Sequence, residues 1–113
     1  MLKKNIEMYR GDTHAFGFRV KEWVDGTITP MENLSSAYFS CKRTKDDDAY
    51  VFQKTLGDGI SAVTSSVYRV RIAPEDTNSV EPGTYAYDLQ VGVNGDIYTI
   101  MAGDLEILPD VTR

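Results

Sequence analysis

Between Pro82 and Met101 the chain spells out two strands and the turn that joins them. Tyr85, Tyr87, Leu89, Val91 and Val93 recur at every second position, with Ala86, Asp88, Gln90 and Gly92 between them, which is the alternation of a half-buried strand. Asn94-Gly95 then supplies the two positive φ angles of a two-residue type I′ turn, so the chain is expected to fold straight back. Counting outward from that turn pairs Val93 with Asp96, Val91 with Tyr98 and Leu89 with Ile100. This register sends Tyr98 and Ile100 to the core and leaves Ile97, Thr99 and Met101 on the outward face with Gly92, Gln90 and Asp88.

The rest of the chain repeats the theme in shorter pieces. Asn5 to Tyr9 alternates Ile6 and Met8 with polar neighbours, and Arg10-Gly11-Asp12 closes it. Thr13 to Val24 reads as one strand with Phe16, Phe18, Val20 and Val24 on one face. Asp25-Gly26 is a second hairpin signal, and Pro30 limits the returning arm to a short edge strand. Further strands are expected in Leu34–Thr44, Tyr50–Leu56, Ile60–Val63 and Val67–Ile72, the last with Tyr68, Val70 and Ile72 inward and Arg69 and Arg71 outward. Ala73-Pro74-Glu75-Asp76-Thr77 suits one helical turn, with proline first and acids where the helix dipole favours them. Gly103 to Leu108 gives a last strand. Eight or nine short strands with regular turn signals, and no helix-period run of a dozen residues, predict an all-β sandwich or small barrel.

At 113 residues and 42% hydrophobic composition, the expectation is a single domain over residues 1–113 with an adequate core. The formal charge of −5, from 17 acidic and 12 basic residues, argues against a nucleic-acid partner, which calls for a basic patch. One cysteine, Cys41, excludes an internal disulfide and a multi-cysteine zinc site. The start lacks the apolar core of a signal peptide, and no run approaches the roughly 20 apolar residues of a membrane span. Synthesis in the cytoplasm as a soluble product without membrane contact is the expectation.

Within the sandwich class, Glu81-Pro82-Gly83-Thr84-Tyr85-Ala86-Tyr87 resembles the corner that leads into strand F of immunoglobulin-like domains, where a tyrosine bonds back to the preceding loop. Tyr85 would be that tyrosine, Gly83 lies in the corner, and Tyr87 stands where the second disulfide cysteine would be. That departure implies an immunoglobulin-like β-sandwich of about 7–9 antiparallel strands without a disulfide. Tyr9-Arg10-Gly11-Asp12-Thr13, Asp25-Gly26, Leu34-Ser35-Ser36-Ala37, Ile72-Ala73-Pro74-Glu75-Asp76-Thr77, Pro82 to Leu89, Gly103-Asp104-Leu105-Glu106-Ile107 and Asp110-Val111-Thr112-Arg113 follow one another at this length. In that order they resemble the small immunoglobulin-like structural proteins of tailed bacteriophages and prophages, similar to the N-terminal domain of phage baseplate upper proteins. The resemblance implies a non-enzymatic virion protein of the tail, baseplate or connector. Its partners would be other virion proteins and copies of itself.

The residues that carry chemistry elsewhere have plainer readings here. His14 is the only histidine, no Gly-x-Ser-x-Gly elbow is present, and a surface histidine near a strand start accounts for it. Cys41 shares a face with Ala37 and Phe39 as a small buried hydrophobe. Asp46, Asp47 and Asp48 lack the spacing, glycine and terminal glutamate of an EF-hand loop and form a solvated turn. Arg10-Gly11-Asp12 matches an integrin-read tripeptide, but ordinary turn chemistry explains it. No catalytic residue, cofactor or metal is expected.

The surface feature that stands out is apolar. Trp23 falls on the polar parity of its strand and pairs across the Asp25-Gly26 turn with Ile28, while Ile97 and Met101 face away from Leu89 and Val91. Four large apolar side chains on outward faces suit a protein contact. The competing reading is a β-bulge that reverses the parity and buries Trp23, or a rim contact beneath a loop. A second function class is a small carbohydrate-binding module that recognises a host-surface glycan on Trp23 and outward tyrosines such as Tyr38.

Overall fold

The computed structural model describes residues 2–24, 26–31 and 33–111, with the side chains of 22–24 and 28–30 outside that description. Among the described residues there are eleven strands and one helical turn: β1 (Leu2–Lys3), β2 (Ile6–Tyr9), β3 (His14–Phe18), β4 (Lys21–Val24), β5 (Thr27–Pro30), β6 (Ser36–Lys42), β7 (Phe52–Leu56), β8 (Gly59–Ala62), β9 (Tyr68–Ile72), α1 (Pro74–Thr77), β10 (Gly83–Val93) and β11 (Asp96–Leu108).

The long hairpin forms where the alternation places it. Asn94 and Gly95 take φ angles of 52° and 86°, and Val93 faces Asp96, Gly92 faces Ile97, Val91 faces Tyr98 and Gln90 faces Thr99. The register then slips: Leu89 faces Met101, because Ile100 is an extra residue in β11. A bulge of one residue exchanges inside for outside beyond it. Met101, expected outward, is therefore a core residue with 7% of its surface exposed, and Ile100 is partly buried beside it. Tyr98 precedes the bulge and keeps its place opposite Val91, but near the turn end of the hairpin it is 42% exposed rather than buried. The segment from Gly103 is also not a separate strand, since β11 runs unbroken for 13 residues.

Nine strands form one hydrogen-bonded sheet in the order β1-β11-β10-β6-β7-β8-β9-β3, with β2 also on β11, and it curls into a half-barrel. The expectation of purely antiparallel strands is corrected in two places. The N-terminal strands run parallel to β11, and β7 runs parallel to β8. At the second place Thr55 and Asp58 exchange backbone hydrogen bonds of 2.9 and 2.8 Å, while Gly57 and Gly59 take positive φ angles of 94° and 97°. Two left-handed residues so close together turn the chain twice, and β8 leaves beside β7 in the same direction. The residues expected as one strand from Thr13 to Val24 divide in two. β3 pairs with β9, whereas β4 pairs with β5 in a separate two-stranded ribbon that Val20 closes by accepting the Met31 N–H at 2.7 Å.

The curl brings β3, at one end of the sheet, against β6 near its middle. Phe16 of β3 meets Phe39 of β6 edge-on at 5.7 Å, and Phe39 stacks on Tyr87 at 5.2 Å and on Phe52 at 6.1 Å. Such pairs add about 0.5–1.5 kcal/mol each beyond the area they bury. Around them Ile60, Val70, Ile72, Leu89, Val91, Leu105 and Ile107 are sealed from solvent, with Cys41 among them as expected. Tyr68, Val70 and Ile72 point inward and Arg69 and Arg71 outward, as their alternation predicts.

β1 and β2 keep one register along β11, Leu2 facing Met101 and Ile6 facing Leu105, and are interrupted only at Lys4 and Asn5. Opposite the interruption stands Gly103, where an added Cβ would lie 2.2 Å from the Lys4 carbonyl oxygen. The missing side chain lets the N-terminal segment dip toward β11. Tyr87, whose rung partner is Gly103, reaches past it and donates its hydroxyl to that carbonyl.

Candidate functional site

Tyr85 is buried, and its hydroxyl donates to the Glu81 carbonyl four residues upstream, tying the segment after α1 to the start of β10. The Arg43 guanidinium sits 5.9 Å from the Tyr85 ring and 3.7 Å from the Glu81 carboxylate, an exposed pair of small energetic weight. Gly83 opens β10 with Ile107 as its partner. Tyr87 of β10 is buried and stacks on Phe39 of the neighbouring β6.

The residues with chemical potential are held apart. His14 is half-buried in β3, with burial first and then Lys4 lowering its pKa, and its ring lies 6.3 Å from Phe16. Burial pushes the Cys41 thiol up to about 12, so its nucleophilic form is suppressed. Arg10-Gly11-Asp12 is a turn in which Gly11 has φ 81° and donates its N–H to Thr77 Oγ1 at 2.8 Å. Asp46 to Asp48 lie in the turn after β6, where the Asp47 N–H donates to the Thr44 carbonyl. Among the described residues no three His, Cys, Asp or Glu side chains converge, and no helix is long and apolar enough to cross a membrane.

The four expected contact residues do not make one patch. Trp23 and Ile28 face each other across the β4–β5 ribbon, in the expected register, but their side chains lie outside the described residues. Ile97 is 60% exposed at the hairpin tip, and Met101 has gone into the core. What gathers at that end instead is a groove lined by Leu2, Val20, Met31, Tyr98 and Ile100, with Arg19 and Lys21 at its rim. Leu2 and Tyr98 are exposed there beside the outer edge of β1, which pairs with β11 alone among the described strands.

A second concave feature lies on the outward face of β6, β7 and β10. Pairing aligns Asp88 with Ser40 and Gln53 in one row and Gln90 with Tyr38 and Thr55 in the next, and Lys42 faces Ala86 beyond them. Lys45 and Tyr50, from the connection between β6 and β7, raise one side, enclosing about 350 Å³. Gln53 donates to Ser40 at 2.9 Å and Gln90 to Thr99 at 3.4 Å, while the Lys42 ammonium sits 5.0 Å from the centre of the Tyr50 ring. Burial raises the Asp88 carboxyl above its ordinary range, with Lys42 pulling the other way. No hydrogen bond or ion pair among the described residues engages that carboxylate. The outward parity of Tyr38, Ser40, Lys42, Asp88 and Gln90 is visible in the sequence. Their adjacency is not, because it depends on pairing strands almost fifty residues apart.

No protein-family model matches the chain, and no curated protein matches it.

Proposed function

We propose that this chain is a non-enzymatic structural domain of a tailed-phage or prophage virion, immunoglobulin-like in plan, that works by contact with neighbouring tail, baseplate or connector proteins or with its own copies. What supports the immunoglobulin-like plan is an all-β body in which β11, β10, β6, β7, β8, β9 and β3 follow one another in one curled sheet without a disulfide. The Tyr85–Glu81 corner supports it too, as does the aromatic cluster of Phe16, Phe39 and Tyr87.

The observation that carries the assembly reading is the open edge of β1 beside exposed Leu2 and Tyr98. Unpaired backbone groups next to apolar side chains accept a strand from a partner, the backbone giving affinity and the side chains register.

Mass spectrometry of purified particles from cells carrying the gene tests the reading. The chain is expected as a stoichiometric component, and its loss on Tyr98→Asp substitution would locate the contact. Absence of the wild-type chain from the particles would overturn the structural role.

A further inference from the structure

The groove over β6, β7 and β10 has a chemistry that the assembly reading leaves unused. Its lining carries a carboxylate that no hydrogen bond or ion pair among the described residues engages (Asp88), two side-chain amides (Gln53 and Gln90), a hydroxyl (Ser40) and the rings of Tyr38 and Tyr50. Each amide gives an N–H to a neighbouring hydroxyl, and its oxygen remains an acceptor. Tyr38 and Tyr50 keep 40% and 51% of their surfaces exposed, but the Lys42 ammonium stands over the Tyr50 ring, which leaves Tyr38 as the ring for a ligand to meet. The floor strands β6 and β10 are each paired on both sides, so no backbone edge is available and a peptide strand cannot be added there.

Charge narrows the class further. An anion would meet Asp88, and a cation would meet Lys42 and Lys45. A neutral ligand that offers many hydroxyls around an apolar ring face satisfies both kinds of side chain. Its hydroxyls donate to Asp88 and the amide oxygens and accept from the lysines, while its C–H face lies on a tyrosine ring. The volume is at the lower end of the about 300–1,000 Å³ typical of small-ligand sites.

We infer that this groove binds a saccharide, with Asp88 as the principal hydrogen-bond acceptor and Tyr38 as the stacking surface. The site does not rest on the virion reading and would serve equally a domain of another origin. It shares Tyr38 with the platform expected from the sequence but not Trp23, which belongs to the separate β4–β5 ribbon.

The test is titration of the isotope-labelled full chain with the methyl glycosides of glucose, galactose, mannose and N-acetylglucosamine, followed by amide shifts, together with a printed glycan array. At least one saccharide is expected to shift amides of β6, β7 and β10 around Ser40, Gln53 and Asp88. Asp88→Asn and Tyr38→Ala should each weaken that binding about tenfold or more, and the distant Val63→Ser should leave it unchanged. Asp88→Asn preserves shape, so its spectrum separates lost binding from lost fold. Silence with every saccharide and on the array would overturn the inference. So would shifts confined to another face, or folded Asp88→Asn and Tyr38→Ala variants that bind like the wild type.

Discussion

Lys54 Nζ lies 2.6 Å from Asp76 Oδ2, and each side chain keeps only 13% of its surface in solvent. The pair joins β7 to α1 across the curl of the sheet. The stem of Lys54 runs over Gly59, where an added Cβ would come within 2.4 Å of it, and Asp76 also accepts the Ala73 N–H at 2.7 Å. One carboxylate thus caps the helical turn and neutralises a lysine that β8 has no room to release.

Unequal costs follow for the two partners. Asp76→Ala strands a mostly buried ammonium and an uncapped N–H together, and should destabilise the fold by about 3 kcal/mol. Lys54→Met leaves Asp76 its bond to Ala73 and retains the apolar stem, so its cost should be about 1–2 kcal/mol. Urea unfolding measures both, and equal midpoints for the two variants would contradict the asymmetry.

Two tyrosines two residues apart hold different parts of the chain. Tyr85→Phe removes a bond inside the corner before β10, next to fully buried core, and should cost about 1–1.5 kcal/mol of global stability. Tyr87→Phe keeps its stack on Phe39 but releases the Lys4 carbonyl. Its effect should concentrate in β1, seen as faster hydrogen exchange at the Lys4 amide, which donates to Ala102 at 3.0 Å. Uniform acceleration across the sheet by Tyr87→Phe would show that the bond supports more than the N-terminal strand.

Cys41 makes a prediction about alkaline stability. The folded thiol is pushed up to about 12 by burial, whereas an unfolded one ionises near about 8.5. Below the unfolded value both states hold the proton and the thiol costs nothing. As pH rises past it, only the unfolded chain gives up the proton, and stability falls by at most about 1.4 kcal/mol per pH unit. Between about pH 8 and pH 10 the wild type should therefore lose more stability than Cys41→Ala. Native protein at about pH 8 should also resist alkylation that proceeds at once in denaturant. Rapid labelling of the folded chain would contradict both expectations.

What the sequence discloses here is local. The Tyr85–Val93 alternation and Asn94-Gly95 specify a hairpin because strand, turn and return lie within one short stretch, and the same holds for Trp23 opposite Ile28 and for the turn at Pro74. The Ile100 bulge has no such mark. No glycine or proline announces it, yet one extra residue moves Met101 from outside to inside. The parallel passage from β7 to β8 depends on two left-handed glycines acting together, and the groove on the pairing of β10 with β6. The glycine pair is local but does not by itself announce a parallel return, and the groove depends on contacts distant in sequence, which no single window contains.

The groove also leaves a trace in stability. Asp88 has a folded pKa raised by burial, so the folded state favours its protonated form, and ionising it opposes folding. At about pH 3 the carboxyl is largely protonated in both states and Asp88→Asn should be nearly neutral. As pH rises through the unfolded and then the folded pKa the wild type acquires a penalty that asparagine cannot, so Asp88→Asn should be the more stable protein at neutral pH. Lys42, whose charge opposes the shift, should moderate that penalty. Adding Lys42→Met to both proteins should therefore widen the difference that Asp88→Asn makes at about pH 7. Thermal unfolding of the wild type, the two single variants and the double variant across the acid range measures both effects. A residue whose removal stabilises the fold while abolishing binding would be one kept for its ligand. A variant less stable than the wild type at neutral pH would instead make Asp88 part of the scaffold.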